Sequence, residues 1–444
     1  MWKYLRPLGL ALVLCASLNA QAQYQPPECN PSFGMLSVSP QMLQFNNPGQ
    51  SFVSALYQDN LVTLLERSRQ WTLCQSRDLG EPARLLALTA QAFLSFRLQY
   101  ANAYVLHEYA HAEVASQLQF TDVRVGADEG NSIVSAPYLS NLATMAFDPR
   151  QIADISRRGV SVDWTGSRAT TARESAQFNA AGLNLNTYLA WRDFEFMLRG
   201  DSTPSRAMAY SVNKWLSPVY FEMDQRIGGD PSSYVSDLAA QGIATSKDEI
   251  QRVQLFAALM SNGMWTSFRA LRVYGEPSDP LLSVVRAQRL YGELPTDIDL
   301  DAGKWVGPLQ WPIDLPVIDR RALVYWPEFS TYLNQRGVSL GGDFGMSVDG
   351  VGFLTLGLER NTIGQDQGTD LSLGYSNSWG WTSITTRITL NQGNTFFSVR
   401  GDYPLNPRLS LTGLVYGAEG ETLVGQRLAF RSKKGGYVGL RVFF

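Results

Sequence analysis

Apolar residues recur with a helical period over most of the first 275 residues and with a period of two beyond about residue 322. Phe52, Leu56, Leu61, Leu64 and Leu65 form one apolar stripe ahead of Cys74, the spacing of a helix that buries one face. Pro82 suits a helix's first turn, and from there to about Gln119 the chain has neither Gly nor a further Pro. That predicts one long helix or two stacked ones. Between Thr121 and Tyr138, the residues Val123, Val125, Ile133 and Val134 around Gly126 and Gly130 predict a short β-hairpin, with a connecting loop as the alternative. Helical periodicity returns over Thr170–Arg199, and again over Ile250–Tyr274 around Leu255, Leu259, Trp265 and Leu271.

Residues 293–321 break the pattern. Pro295, Pro308, Pro312 and Pro316, with Asp297, Asp299, Asp301 and Asp314, predict an extended linker. Beyond it, Trp381 to Asn391 sets Thr382, Ile384, Thr386, Ile388 and Leu390 against Ser383, Thr385, Arg387 and Thr389. Leu371, Leu373 and Tyr375 alternate in the same way, so one face of each run is apolar. Asp349-Gly350, Gln392-Gly393-Asn394, Asn406-Pro407 and Lys434-Gly435-Gly436 supply turns. The result is about eight runs of roughly ten residues, each long enough to cross a bilayer when tilted. The last places Val438, Leu440, Val442 and Phe444 on one face. This ending resembles the C-terminal strand of bacterial outer-membrane β-barrel proteins, and the resemblance covers 322–444. It implies a lipid-facing barrel; a soluble antiparallel sandwich or closed barrel is the alternative.

The N-terminus adds a compartment. Lys3 and Arg6, the apolar run Leu8–Ser17 and Ala20-Gln21-Ala22 form a secretory signal over 1–22. Cys29 and Cys74 remain after cleavage, an even count that predicts a Cys29–Cys74 disulfide in an exported chain. The formal charge of −3 becomes −5 once Lys3 and Arg6 are removed. Without any basic run, nucleic acid is excluded as an expected partner. No stretch after the signal has 18 consecutive strongly apolar residues, so a membrane-spanning helix is not expected. The fold expected is a multidomain α+β chain: a mainly α-helical domain over 23–292, the linker over 293–321, and an antiparallel barrel of about eight strands over 322–444.

The chemistry centres on Leu106-His107-Glu108-Tyr109-Ala110-His111. Residues four apart share a helix face, so the two imidazoles can hold one metal with the Glu108 carboxylate beside it. The chain's two histidines are both in this stretch, so a carboxylate is the expected third ligand. The extended form with a third His is excluded, because Val114 and Gln117 stand where its Gly and His belong.

About sixty residues on, Arg173-Glu174-Ser175-Ala176 lies in a helical stretch. An H-E-x-x-H helix followed by R-E-x-A resembles the gluzincin metallopeptidases, especially the CaaX prenyl endopeptidase family and its bacterial envelope relatives. The resemblance covers these two short motifs and departs from E-x-x-x-D, since Phe178 stands at the aspartate's position. It implies Zn2+ held by His107, His111 and Glu174, with Glu108 as general base. Asp193 and Glu195 are alternative third ligands, and Tyr109, Tyr188 and Arg173 are eligible to stabilise the oxyanion. The activity expected is hydrolysis of envelope proteins or peptides at the periplasmic side of the outer membrane, whose lipid the barrel would contact. A barrel-anchored assembly factor with a structural or vestigial metal site is the alternative.

Overall fold

The structure, a computed structural model, describes residues 35–38, 51–128, 133–148, 160–165, 170–199, 203–227, 229–240, 246–260, 264, 267–268 and 274–275. It also describes the strands that lie between 297 and 443. The proposed signal and Cys29 fall outside these residues, whereas Cys74 is disulfide-bonded.

Helix α1 (Ser51–Gln75) is followed by α2 (Glu81–Gln117), a single helix of 37 residues. Gly80 enters it in an extended conformation, and Pro82 occupies its first turn, where no backbone donor is missed. Its end is equally specific. Gln119 adopts φ 63°, Gln119 N donates to Ser116 O (3.1 Å), and Phe120 N donates to Ala115 O (3.0 Å). This left-handed residue with its two closing bonds satisfies carbonyls that the helix leaves open.

The turn delivers the chain into β2 (Thr121–Asp128), which pairs antiparallel with β3 (Ile133–Ser135) on one side and β4 (Val160–Thr165) on the other. The hairpin is present, but the third strand was not anticipated. Helix α3 (Tyr138–Phe147) lies between β3 and β4 in sequence.

Among the described residues four further helices follow: α4 (Ala172–Arg199), α5 (Pro204–Ile227), α6 (Asp230–Ala240) and α7 (Lys247–Met260). Helix α2 is central and packs on α1, α3, α4, α5, β2 and β4. Its small residues Ala101, Ala103, Ala110, Ala112 and Ala115 are buried, which lets its neighbours come close. One core joins Val105, Leu106 and Tyr109 to Tyr57, Val125, Leu142, Met145, Leu185 and Leu189. A second joins Ala176, Ala180 and Leu183 of α4 to Phe221, Tyr234, Leu238 and Ile250. Each large aliphatic buried in this way contributes about 1.5–3 kcal/mol. Helix α4 therefore belongs to both cores, and α2 and α6 approach it from different sides. No described helix is long and apolar enough to cross a membrane.

The remaining strands are β5 (Asp297–Asp299), β6 (Lys304–Leu315), β7 (Arg320–Tyr332), β8 (Val338–Val348), β9 (Gly352–Ile363), β10 (Asp366–Trp379), β11 (Thr382–Asn391), β12 (Asn394–Asn406), β13 (Leu409–Ala418) and β14 (Gly435–Phe443). With β1 (Met35–Val38) they form an 11-stranded sheet of order β1-β14-β13-β12-β11-β10-β9-β8-β7-β6-β5. Strands β7 to β14 lie within 320–443, and the other three come from stretches read as helical domain and linker.

Strands β5, β6 and the start of β7 lie within 293–321, the stretch expected as a linker. Strand β5 pairs β6 only at Lys304 to Val306, so Pro308 and Pro312 sit in β6 beyond the reach of that neighbour. A residue without an amide donor is tolerated at such an unpaired edge. Strand β1 pairs β14 with Met35 opposite Phe443. In sequence the helical elements fall between β1 and β5, the two end strands of this sheet.

Candidate metal centre

Three elements meet at the two histidines. Helix α2 supplies His107, Glu108 and His111, all buried. The two imidazoles lie one turn apart, with Nε2 atoms 3.1 Å from each other. Helix α6 begins at Asp230, whose Oδ2 is 3.1 Å from His111 Nε2 and 3.5 Å from His107 Nε2. Among the described residues, these three form a group able to hold a metal ion. The triangle can be compared with what an ion requires. In a tetrahedral zinc site with metal–ligand distances of about 2.0–2.1 Å, neighbouring donor atoms lie about 3.3–3.4 Å apart. Edges of 3.1, 3.1 and 3.5 Å fit that spacing.

The backs of the rings are also held. His107 Nδ1 lies 3.1 Å from Asn186 Oδ1, and His111 Nδ1 lies 2.7 Å from the carbonyl oxygen of Phe178. Both partners are acceptors, which favours a proton on each Nδ1 and turns each Nε2 toward the triangle. Phe178 stands where the resembled family carries an aspartate, and its backbone carbonyl provides the acceptor instead. Gly182, one turn further along α4, gives His107 its space: a Cβ there would lie 2.4 Å from Cδ2, Cε1 and Nε2 of the ring.

The electrostatics follow from this packing. Burial alone would lower the His111 pKa, but the charge of Asp230, its hydrogen bond and the Phe178 carbonyl prevail and raise it. Burial would likewise raise Asp230, yet His111 and the hydrogen bonds from both imidazoles hold it well below the usual carboxylate range. Tyr220 on α5 donates from its hydroxyl to Asp230 Oδ2 at 2.9 Å, and its ring packs edge-on against His107 with centroids 5.0 Å apart. Its pKa is pushed well up by burial first, then by the charges of Asp230 and Glu108, so it remains a proton-bearing donor.

Glu174 is not part of this group, and the reason lies in its local sequence. Its Oε2 accepts from Thr171 N (3.0 Å) and Thr171 Oγ1 (3.2 Å), while its own N–H donates to Thr171 Oγ1 at 3.2 Å. Thr171-Ala172-Arg173-Glu174 is a reciprocal cap at the start of α4. The structure thus brings Asp230, and not Glu174, to the two imidazoles. Asp193 lies elsewhere, paired with Gln58 and with Arg206 Nη1 at 2.8 Å.

The oxyanion candidates also move. Tyr109 faces the core on the other side of α2, where its hydroxyl accepts from Asn141 Nδ2 at 3.4 Å, and burial raises its pKa to about 12. Side chains of Arg173, Tyr188 and Glu195 lie outside the described residues. Asp230 and Tyr220 carried no motif. The one available signal was Gly228-Gly229-Asp230-Pro231, a turn followed by a helix start.

An aromatic wall joins the centre to the small sheet. Phe120 stacks on Trp164 of β4 (5.2 Å), Trp164 meets Phe178 edge-on (4.9 Å), and Phe178 meets His111 (5.0 Å). No protein-family model, curated protein or solved structure matches the chain.

Proposed function

We propose that the chain is a zinc-dependent metallopeptidase. The observation that carries this reading is the His107–His111–Asp230 triangle, with the buried carboxylate of Glu108 on the same helix and the donor hydroxyl of Tyr220 beside it. His107 Nε2, His111 Nε2 and Asp230 Oδ2 would hold the ion, a set of two neutral imidazoles and one carboxylate that suits Zn2+. When bound, Zn2+ supplies Lewis acidity, bringing the pKa of a water toward neutrality and polarising a carbonyl.

The protein's own groups do the rest. Glu108 accepts the proton of the attacking water as its oxygen bonds to the scissile carbonyl carbon, and returns that proton to the amide nitrogen as the C–N bond breaks. Tyr220, whose O–H donates to Asp230 Oδ2, would hold that carboxylate in place against the ion. The outer strand β4 carries Trp164 against Phe178 and so lies close to the centre. Among the described residues no strand pairs its outer edge, which supports an extended peptide as substrate, paired through main-chain hydrogen bonds.

Anchorage in the outer membrane is part of the same reading. On the large sheet, Leu356, Leu358, Leu371, Leu373, Val415 and Val438 are exposed, whereas Ser410 and Thr412 are fully buried. Apolar residues outside and polar residues inside reverse the order of a soluble sheet and match a strand set facing lipid. The helical body would then work in the periplasm on envelope proteins or peptides.

A second reading, an envelope-assembly factor whose metal group is structural, is favoured by exposed Leu86 and Phe93 on α2 with Leu139 and Phe147 on α3. One variant separates the two. Glu108→Gln should retain one Zn2+ per chain and lose peptide hydrolysis by about 10²–10⁴-fold. Hydrolysis at the wild-type rate would refute the catalytic assignment, and absence of stoichiometric zinc from the purified wild-type protein would refute the metal.

A further inference from the structure

Behind His107 runs a file of buried side chains in which every hydrogen bond points the same way. Asn186 Oδ1 faces His107 Nδ1, while Asn186 Nδ2 donates to Asn213 Oδ1 (3.0 Å) and to the carbonyl of Ala103 (3.1 Å). Asn213 Nδ2 donates to Gln58 Oε1 (3.0 Å) and to the carbonyl of Ala209 (3.1 Å). Gln58 Nε2 donates to Asp193 Oδ2. Asp193 Oδ1 in turn accepts from Arg206 Nη1, which also reaches Asp59 at 3.0 Å. Gln58, Asn186, Asn213 and Asp193 are at most 3% exposed, which leaves no room for solvent to replace a member.

The geometry points to Asp193 as a positioning residue that fixes the His107 tautomer through three amides. An amide has one acceptor end and one donor end, so the orientation of each member fixes the next. A carboxylate can only accept. Asp193 therefore turns the NH2 of Gln58 toward itself, which leaves Gln58 Oε1 for Asn213. Asn213 must then present its oxygen to Asn186, and Asn186 its oxygen to His107. Facing an acceptor, His107 carries its proton on Nδ1 and keeps the Nε2 lone pair for the ion. Metal-ligating imidazoles are ordinarily fixed by an acceptor in direct contact; here that acceptor, Asn186, is held in its sense by the Ala103 carbonyl together with a file whose terminal charge stands three amides away, on the same helix as Asn186. Reversing any one amide would place two donors or two acceptors face to face in a buried space, which costs about 1–3 kcal/mol for each unsatisfied group.

This inference rests on the metal reading for its purpose but is tested without metal. Both histidines of the chain are in the site, so long-range 1H–15N spectra of 15N-His-labelled, metal-free, full-length protein contain two imidazoles, with His111→Gln assigning them. Wild type should show His107 protonated on Nδ1. Asp193→Asn releases the direction and should convert a substantial fraction to the Nε2–H tautomer, with zinc affinity, measured by chelator competition, weakened about 10–100-fold. Gln58→Met breaks the file in the middle, leaves the Asp193–Arg206 pair in place, and should do the same.

Asp193→Asn combined with Asn186→Asp reverses the file and puts a carboxylate directly on His107. It should restore the Nδ1–H tautomer and bring zinc affinity back to within about threefold of wild type. Retention of the Nδ1–H tautomer in both single variants overturns the proposal, as does a double variant worse than either. Failure of wild type to bind zinc would refute the metal reading and leave the tautomer result standing.

Discussion

Gly182→Ala is the substitution most sharply decided by the geometry. In an isolated helix interior the change would be favourable by about 1 kcal/mol, since Gly is a poor helix former. Here the added methyl would lie 2.4 Å from three atoms of the His107 ring. Carbon atoms in contact are about 3.5–4.0 Å apart, so the ring must retreat by about 1 Å. The ring has nowhere to go: it is 1% exposed, Tyr220 packs on it with centroids 5.0 Å apart, and Asn186 holds Nδ1.

A shift of about 1 Å is several times the roughly 0.2 Å tolerance of a metal–ligand distance. Overpacking of this kind costs about 1–3 kcal/mol, or about 5- to 150-fold in an equilibrium constant. Zinc affinity from chelator competition should therefore weaken by about one to two orders of magnitude in Gly182→Ala. The metal-free thermal midpoint should stay level or fall rather than rise. Wild-type zinc affinity together with a raised midpoint would refute the close approach on which the centre is built.

Two further outcomes follow. Asp230→Asn should weaken zinc binding strongly, whereas Glu174→Ala should leave zinc stoichiometry intact and reduce stability by about 0.5–2 kcal/mol through the lost cap; zinc titration and denaturant unfolding check both, and loss of zinc in Glu174→Ala alone would reverse the ligand assignment. The buried Glu66–Arg69 pair predicts acid sensitivity. Burial would raise Glu66, but the Arg69 charge, its hydrogen bonds and those from Ser205 lower its folded pKa below the ordinary 4.5. Its contribution is thus present above pH 4.5 and disappears as pH falls through the folded value. Glu66→Gln should cost about 3–5 kcal/mol at pH 7 by leaving a buried guanidinium uncompensated, and should flatten the acid limb of stability against pH.

The chain's sequence disclosed the part of the centre that lies within one helix and hid the part that depends on tertiary contact. His107, Glu108 and His111 were legible because four-residue spacing on a Gly- and Pro-free run has one geometric meaning. Asp230 is 119 residues beyond His111, and nothing about an aspartate after Gly-Gly distinguishes a ligand from a helix cap. Glu174 drew attention by its Arg neighbour, yet the informative spacing was backward to Thr171, where T-x-x-E marks a helix start. Strand β4 was overlooked although Val160, Val162 and Trp164 alternate, because three such residues between polar stretches are too few to stand out. The linker expectation for residues 293–321 came from proline, which suggests a linker by composition. Whether it can join a strand depends on whether that edge is already paired, which only the sheet reveals.

The pairing of β1 with β14 bears on how the molecule comes together. It joins Met35 to Phe443, whereas every other pair in the large sheet links strands adjacent in sequence. Bringing ends so far apart into register is the slowest kind of contact to make, because the entropy of closing the longest loop comes before any reward. Helices whose own partners lie nearer in the chain can settle first, so the imidazole-bearing body is assembled when the outermost strands meet. That last seam ties the strand preceding the body to the final strand of the sheet.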